Sequence, residues 1–529
     1  MKKVYYIFLF VLPIVLVLSA AFLNEARGPF WLGSNLDPEY VYLLNSLNLA
    51  SLKGVGHIDH PGTPLQILGA ITLKVVHFFQ ASENVDLHTK VLNQPEYYLG
   101  AINIVLVTLN AIMLLSLGMF TFFLTQNFWF SLWLQLSPFF SITSLQFSLT
   151  RVTPEPLLFF SSLMMTVFLV LKAYSKDFNV KNSTQSENIM LVSIFALITG
   201  FGIACKVTFI PLMVIPLIIF PKLKSKVFYL LAVGISFIIF TLPIIRMYPR
   251  FFDWVYKLLS HSGRYGSGAW RVIDSKLFMK NIKQLLTGSP FFSIILVLGL
   301  TIVIISLVTP KLRKISSSNI HFKLLAATTA AQVLGLFMVS KHSADHYLLP
   351  VLNLSGITLL LIFLYLKYIL GPHKINSNIL TILIVIFLVF LIVFINPAGQ
   401  IKKSVNQLTK QKEASLAIRQ EVENNYKDYV KIYYYRSSSL EYALKFGNDL
   451  SRSYSSEILQ RLYKNVYFYD IWRKEFCGFD YNHVIPFSQI RAQHGNRIVF
   501  QGSREVKIPG IQLRRLTDFH FSEDIFAAE

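Results

Sequence analysis

The sequence predicts an α-helical polytopic membrane protein of about eleven transmembrane helices, followed by a small C-terminal α/β extramembrane domain. Three observations predict it. Apolar runs recur through the first 400 residues, most of them close to the ~20 residues that cross a bilayer. Only 15% of the 529 residues are charged and 53% are hydrophobic, with a mean hydropathy of +0.51, whereas a soluble protein carries roughly 25% charged residues. Beyond Gln400 the apolar runs stop and shorter helix and strand signals replace them.

Taken in order, Lys2 and Lys3 precede an apolar run over 4–23, long enough to span and followed by no clean small-x-small cleavage pattern. It reads as a retained first helix with its N-terminus in the cytoplasm. An external loop over 24–98 follows. Within it, residues 40–51 are amphipathic and are expected to lie along the membrane surface. Residues 64–79 are apolar but short and interrupted by Lys74 and His77, which suggests an interfacial helix. The remaining runs cover 99–124, 128–147, 155–174, 189–205, 207–221, 227–245, 290–309, 323–340, 347–370 and 378–396.

Charge orients these spans. Under this assignment the inner loops carry Lys172, Lys176 and Lys181, then Lys222, Lys224 and Lys226, then Lys311, Arg313 and Lys314, then Lys367 and Lys374, as the positive-inside bias requires. The external loop 246–283 is rich in Lys and Arg and departs from the pattern. An odd number of spans places the C-terminus outside. There, 401–427 is polar and helix-like, 429–435 (YVKIYYY) reads as a strand and 438–448 as a helix. The division is therefore a transmembrane catalytic domain over 1–399 and an extracytoplasmic α/β domain over 400–529.

The net charge of +21 points to anionic lipid headgroups and a phosphate-bearing substrate as partners, not nucleic acid, in a chain of this hydropathy. Cys205 and Cys477 are the only cysteines and stand far apart, which excludes a disulfide framework or a cysteine metal site.

Four polar groups sit at the outer helix ends of this topology. The first holds Asp37 and Glu39, then His57-Ile58-Asp59-His60-Pro61-Gly62; the second contains Arg151 and Glu155; the third is Lys206; the fourth contains Lys341, His342, His346 and Tyr347. Ionisable groups at a bilayer are costly to hold and mark function. Each has a plain alternative: an Arg151–Glu155 pair four residues apart, a snorkelling Lys206, interfacial anchoring by His346 and Tyr347. Their common side favours a site.

The order of these motifs resembles the GT-C-type glycosyltransferases, with the protein mannosyltransferases and lipid A aminoarabinose transferases as the nearest patterns. The resemblance rests on D-P-E at 37–39, H-P-G-T-P-L-Q at 60–66, R-V-T-P-E-P-L at 151–157, A-C-K-V at 204–207 and H-Y-L-L-P at 346–350, over roughly residues 1–400. It implies transfer of a sugar from a polyprenyl-phosphate donor to a glycan, lipid or protein acceptor, in a bacterial inner membrane. In that family the acidic pair is adjacent; here Pro38 separates Asp37 from Glu39, which leaves open which carboxylate is the base.

The residues suit that chemistry. A phosphate leaves as a stable anion, so one carboxylate base suffices, and Asp37 is the preferred one. Lys206, Arg264, Arg271 and Lys341 are cations suited to a phosphate. His57, Asp59, His60, Arg151, Glu155, His342, His346 and Tyr347 complete the expected substrate-binding set. No cofactor is demanded; Asp37, Glu39, Asp59 and His60 are candidate ligands for a divalent metal, though their spacing is not diagnostic. Three rival classes remain, one of them a receptor or scaffold whose working part is the region 400–529. A polysaccharide polymerase needs no carboxylate cluster directly after the first helix. A transporter or flippase of lipid-linked sugars places its charges near the midplane, whereas here they gather at helix ends.

Overall fold

The computed structural model describes residues 2–33, 39–80, 85–174, 185–263, 266–371, 377–517 and 523–528. Two compact units account for them. The first comprises 1–20, 58–64 and 106–402; the second comprises 21–57, 65–105 and 403–529. Compactness thus groups most of the external-loop segment with the C-terminal residues, and the division near Gln400 falls inside the helix Pro397–Asn425.

Among the described residues, eight helices are long and apolar enough to cross a membrane by length and composition. The chain is an integral membrane protein. Its spans differ in what they face. The span Asp345–Leu370 is 89% buried within the protein, whereas Leu223–Phe240 is 17% buried and leaves an apolar surface suited to lipid. In the first unit the helix Ile320–Lys341, rich in Ala and Thr, packs against Pro290–Val308, Ser275–Gly288 and Ser355–Leu370; small residues permit close helix approach. Polar side chains pair between helices, as in Tyr365 Oη donating to Ser306 Oγ at 2.8 Å and Ser144 Oγ donating to Asn353 Oδ1 at 2.8 Å.

Two of the expected spans are broken. The run at 128–147 divides into Phe128–Leu136, a 3-10 turn Ser137–Phe140 containing Pro138, and Ile142–Thr150, whose N-cap Ser141 accepts from Ser144 N. Gln185–Cys205 ends at Lys206, and Val207–Met213 continues as 3-10 helix around Pro211 before the short helix Val214–Ile219. The run at 64–79 is the 17-residue helix Thr63–Phe79.

The second unit holds a six-stranded sheet of order β3-β2-β1-β4-β6-β5. Its strands are β1 (Val430–Tyr433), β2 (Val466–Asp470), β3 (Glu475–Cys477), β4 (Ile498–Ser503), β5 (Leu513–Arg515) and β6 (Glu523–Ala528). β1 runs parallel to both β2 and β4, with Ile432 opposite Tyr467 and Phe500; β3, β5 and β6 join antiparallel. The expected helix after β1 is Leu440–Asp449, capped by Ser439. Behind β1, the buried Glu523 carboxylate accepts from Ser438 N (2.6 Å), Ser438 Oγ (2.7 Å) and Gln501 Nε2 (2.7 Å).

The amphipathic segment 40–51 does not lie on a surface. It is the helix Glu39–Ala50, buried on nearly every side and packed on Leu440–Asp449. At the crossing a Cβ on Gly447 would stand 2.6 Å from Tyr40 O, so only glycine admits this approach.

Candidate functional site

A buried polar cluster forms in the first unit where three chain breaks meet. Glu155 opens the helix Glu155–Tyr174, and Pro154 O accepts from both Leu157 N and Leu158 N. Lys206 occupies the bend after Gln185–Cys205; its N–H donates to Gly202 O at 2.9 Å and its carbonyl accepts from Phe209 N at 3.1 Å. A Cβ on Gly202 would meet Phe209 Cδ1 at 2.4 Å, so glycine lets the ring fold back over the bend. The third break is the turn at 60–62. His60 (φ 51°) and Gly62 (φ 64°) both adopt left-handed backbone, and Gly62 N donates to Ala204 O at 3.0 Å. That bond ties the turn to the strand of chain entering Lys206.

At the centre, Lys206 Nζ lies 2.5 Å from Glu155 Oε1, the residues being 5% and 3% exposed. His346 Nε2 stands 3.8 Å from the same oxygen. Aromatic rings wall the pair. Lys206 Nζ sits 4.3 Å from the Tyr347 ring centroid, in cation–π range. The His346 ring stacks on Phe147 at 4.4 Å and meets Tyr347 edge-on at 4.5 Å. His60 contacts Tyr347 at 5.5 Å and Trp254 at 5.1 Å. The Arg151 guanidinium lies 5.8 Å from the Phe147 centroid. A lysine buried this deeply needs its counter-charge, since an unpaired one is strongly destabilising. The snorkelling alternative for Lys206 therefore does not describe it, and Glu155 takes Lys206 as its close ionic partner.

The structure thus brings together Arg151, Glu155, Lys206, His346, Tyr347 and His60, from four separate stretches of sequence. Phe147 and Trp254, which the motif reading did not single out, complete the walls; Phe147 lies one helical turn before Arg151. Other expected residues have other partners. Lys341 Nζ donates to Leu259 O at 2.6 Å and His342 Nε2 lies 3.3 Å from Leu258 O, so both brace the helix Tyr248–Ser260. Arg271, 57% exposed at its side chain, pairs with Asp274 at 2.7 Å. Asp59 is half-buried. Glu39 and His57 belong to the second unit: Glu39 is buried at its helix start, and the His57 ring meets Tyr42 at 5.4 Å while its N–H reaches Asn45 Oδ1 at 3.4 Å. Asp37 and Arg264 lie outside the described residues. Among the described residues, no group of three or more His, Cys, Asp and Glu is placed to hold a metal ion.

No protein-family model matches this chain, and no curated protein matches it. Among solved structures, it is similar to ArnT from Cupriavidus metallidurans, determined bound to undecaprenyl phosphate. The identity is 11%, the TM-score is 0.53, and the match covers 99% of this chain and 98% of that one. The chain shares the fold of ArnT. At this identity the likeness is one of fold; what the protein does has to be argued from its own residues.

Proposed function

We propose that the protein is a membrane glycosyltransferase that moves a sugar from a polyprenyl-phosphate donor to a glycan, lipid or protein acceptor of the cell envelope. The observation that carries this reading is the end-to-end likeness of fold to a structure that holds undecaprenyl phosphate. The buried cluster supplies chemistry in keeping with it. In the reaction, an acceptor hydroxyl attacks the anomeric carbon, the bond from that carbon to the phosphate oxygen breaks, and the hydroxyl proton passes to a carboxylate. Asp37 is that base, and Glu39 orients the acceptor. Lys206 carries three N–H donors; Glu155 takes one and aims the ammonium, leaving donors for the phosphate oxygens on which charge develops. The Tyr347 ring covers the ammonium, with Phe147 on His346 and Trp254 on His60 around it, and low dielectric strengthens each contact made there. The apolar helices provide the surroundings that a prenyl chain requires. The N-terminus is cytoplasmic and the C-terminal sheet extracytoplasmic, in a bacterial inner membrane, on the Lys/Arg bias of the short loops.

The test compares membranes with and without the protein for consumption of a polyprenyl-phosphate sugar. Consumption that depends on the protein supports the reading; equal rates in both membranes refute it.

A further inference from the structure

The segment 246–288 departs from the charge pattern of the other short loops and takes no part in the cluster's ion pair. It carries eight Lys and Arg against Asp253 and Asp274. Two helices frame it, Tyr248–Ser260 and Ser275–Gly288. Their inner sides are anchored. Phe251 and Leu285 are buried, Asn281 Nδ2 donates to Ser340 O at 2.8 Å, and Lys341 and His342 hold the carbonyls of Leu259 and Leu258.

The outer sides carry a different pattern. Phe252, Tyr256 and Leu259 follow each other at i, i+4 and i+7 and are 54%, 54% and 64% exposed. This spacing makes one stripe along a helix, and it is apolar where a water-facing stripe would be polar. On the second helix Lys276, Lys280 and Lys283 repeat the same spacing, all exposed, on a helix with no acidic residue. Between them Trp270 (69% exposed) meets Tyr256 edge-on at 6.0 Å, and Val272 is 65% exposed. An exposed apolar and aromatic stripe on one helix and an exposed row of lysines on the next is the pattern of helices lying in a bilayer interface, rings at headgroup depth and ammonium groups among lipid phosphates.

We propose that the outer face of residues 246–288 docks on the anionic headgroup layer of the membrane, with Phe252, Tyr256 and Leu259 immersed and Lys276, Lys280 and Lys283 holding anionic lipid. The occupant is chosen by charge complementarity: a neutral lipid layer leaves the lysine row without a purpose, and a soluble polyanion leaves the apolar stripe in water. This inference is independent of the transfer reaction.

The experiment uses the full chain reconstituted in phosphatidylcholine bilayers, alone or mixed with phosphatidylglycerol. Cys205 and Cys477 are both buried, so a fluorophore attached through Val272→Cys reports on this face. Quenching of that fluorophore by lipids brominated near the headgroup, together with enrichment of spin-labelled phosphatidylglycerol around the protein, is expected. The enrichment should fall about fivefold or more in the triple variant Lys276→Gln/Lys280→Gln/Lys283→Gln, weaken with added salt, and persist in the corresponding triple Arg variant. An unquenched fluorophore overturns the proposal, whether or not the face binds a soluble polyanion. So does a lipid preference unchanged in the Gln triple.

Discussion

Lys206 Nζ and Glu155 Oε1 stand 2.5 Å apart with both side chains buried, joining the bend at the end of Gln185–Cys205 to the first turn of Glu155–Tyr174. Removing one partner strands the other charge. Lys206→Met or Glu155→Gln alone should lower stability by ~3–5 kcal/mol, read as thermal unfolding in detergent. The paired change Lys206→Met/Glu155→Leu should restore most of that loss, because apolar replacement of a whole buried pair is often neutral. Transfer should stay lost in the double variant. A stable double variant with normal transfer would assign the pair to packing alone.

The Tyr347 ring lies 4.3 Å beneath the same ammonium. Tyr347→Phe keeps the ring face and should leave stability close to wild type, while Tyr347→Leu should lose about 0.5–2 kcal/mol. Equal losses in the two variants would show that the ring's charge distribution plays no part.

Much of this architecture was legible before the structure. Glu155 and Lys206 stood out because charge at the end of an apolar run is expensive and therefore rare, and His346 and Tyr347 through their place at the start of a late span. His60 stood out through its Pro-Gly sequel. Phe147 and Trp254 did not: in a chain with 45 phenylalanines one more aromatic carries no signal until its neighbours are known. Lys341 resembled a phosphate ligand in sequence, because nothing in its surroundings shows that its ammonium bonds Leu259 O. The helix Glu39–Ala50 was misread for a related reason. Its mixed face suits a bilayer surface as well as it suits Leu440–Asp449, and that partner lies some 400 residues away in the chain.

Glu523 predicts a pH dependence. Burial is the largest influence and raises its carboxyl to about 7, with Asp524 adding to it against the bonds from Ser438 and Gln501. An unfolded glutamate titrates near ~4.3. Between those values the folded protein keeps a proton that the unfolded chain has released. Its contribution is therefore present at low pH and is lost as pH rises through about 7, on the order of 3 kcal/mol in all. The thermal midpoint should fall from pH 5 to pH 8, and Glu523→Gln should flatten that fall. Some slope should remain, since burial also raises Asp449 to about 6. An identical slope in wild type and variant would contradict this assignment.

Asp37 precedes Pro38, and proline disfavours helical backbone in the residue before it. An Asp there serves equally as an N-cap, and substitution separates the roles. Asn keeps a capping oxygen but cannot take a proton at neutral pH. Asp37→Asn should leave expression and folding intact while transfer falls ~100-fold or more, with a smaller loss in Glu39→Gln. The reverse order would exchange their roles.

The central claim is sugar transfer from a polyprenyl phosphate, and one measurement meets it head-on. Purified protein in bilayers is given a labelled polyprenyl-phosphate sugar and a cell-envelope extract, and the label and the free polyprenyl phosphate are followed together. The account predicts that label appears on an acceptor in step with release of free polyprenyl phosphate, and that Asp37→Asn abolishes both. A donor that stays intact, or that reaches the opposite leaflet with its sugar still attached, would contradict it.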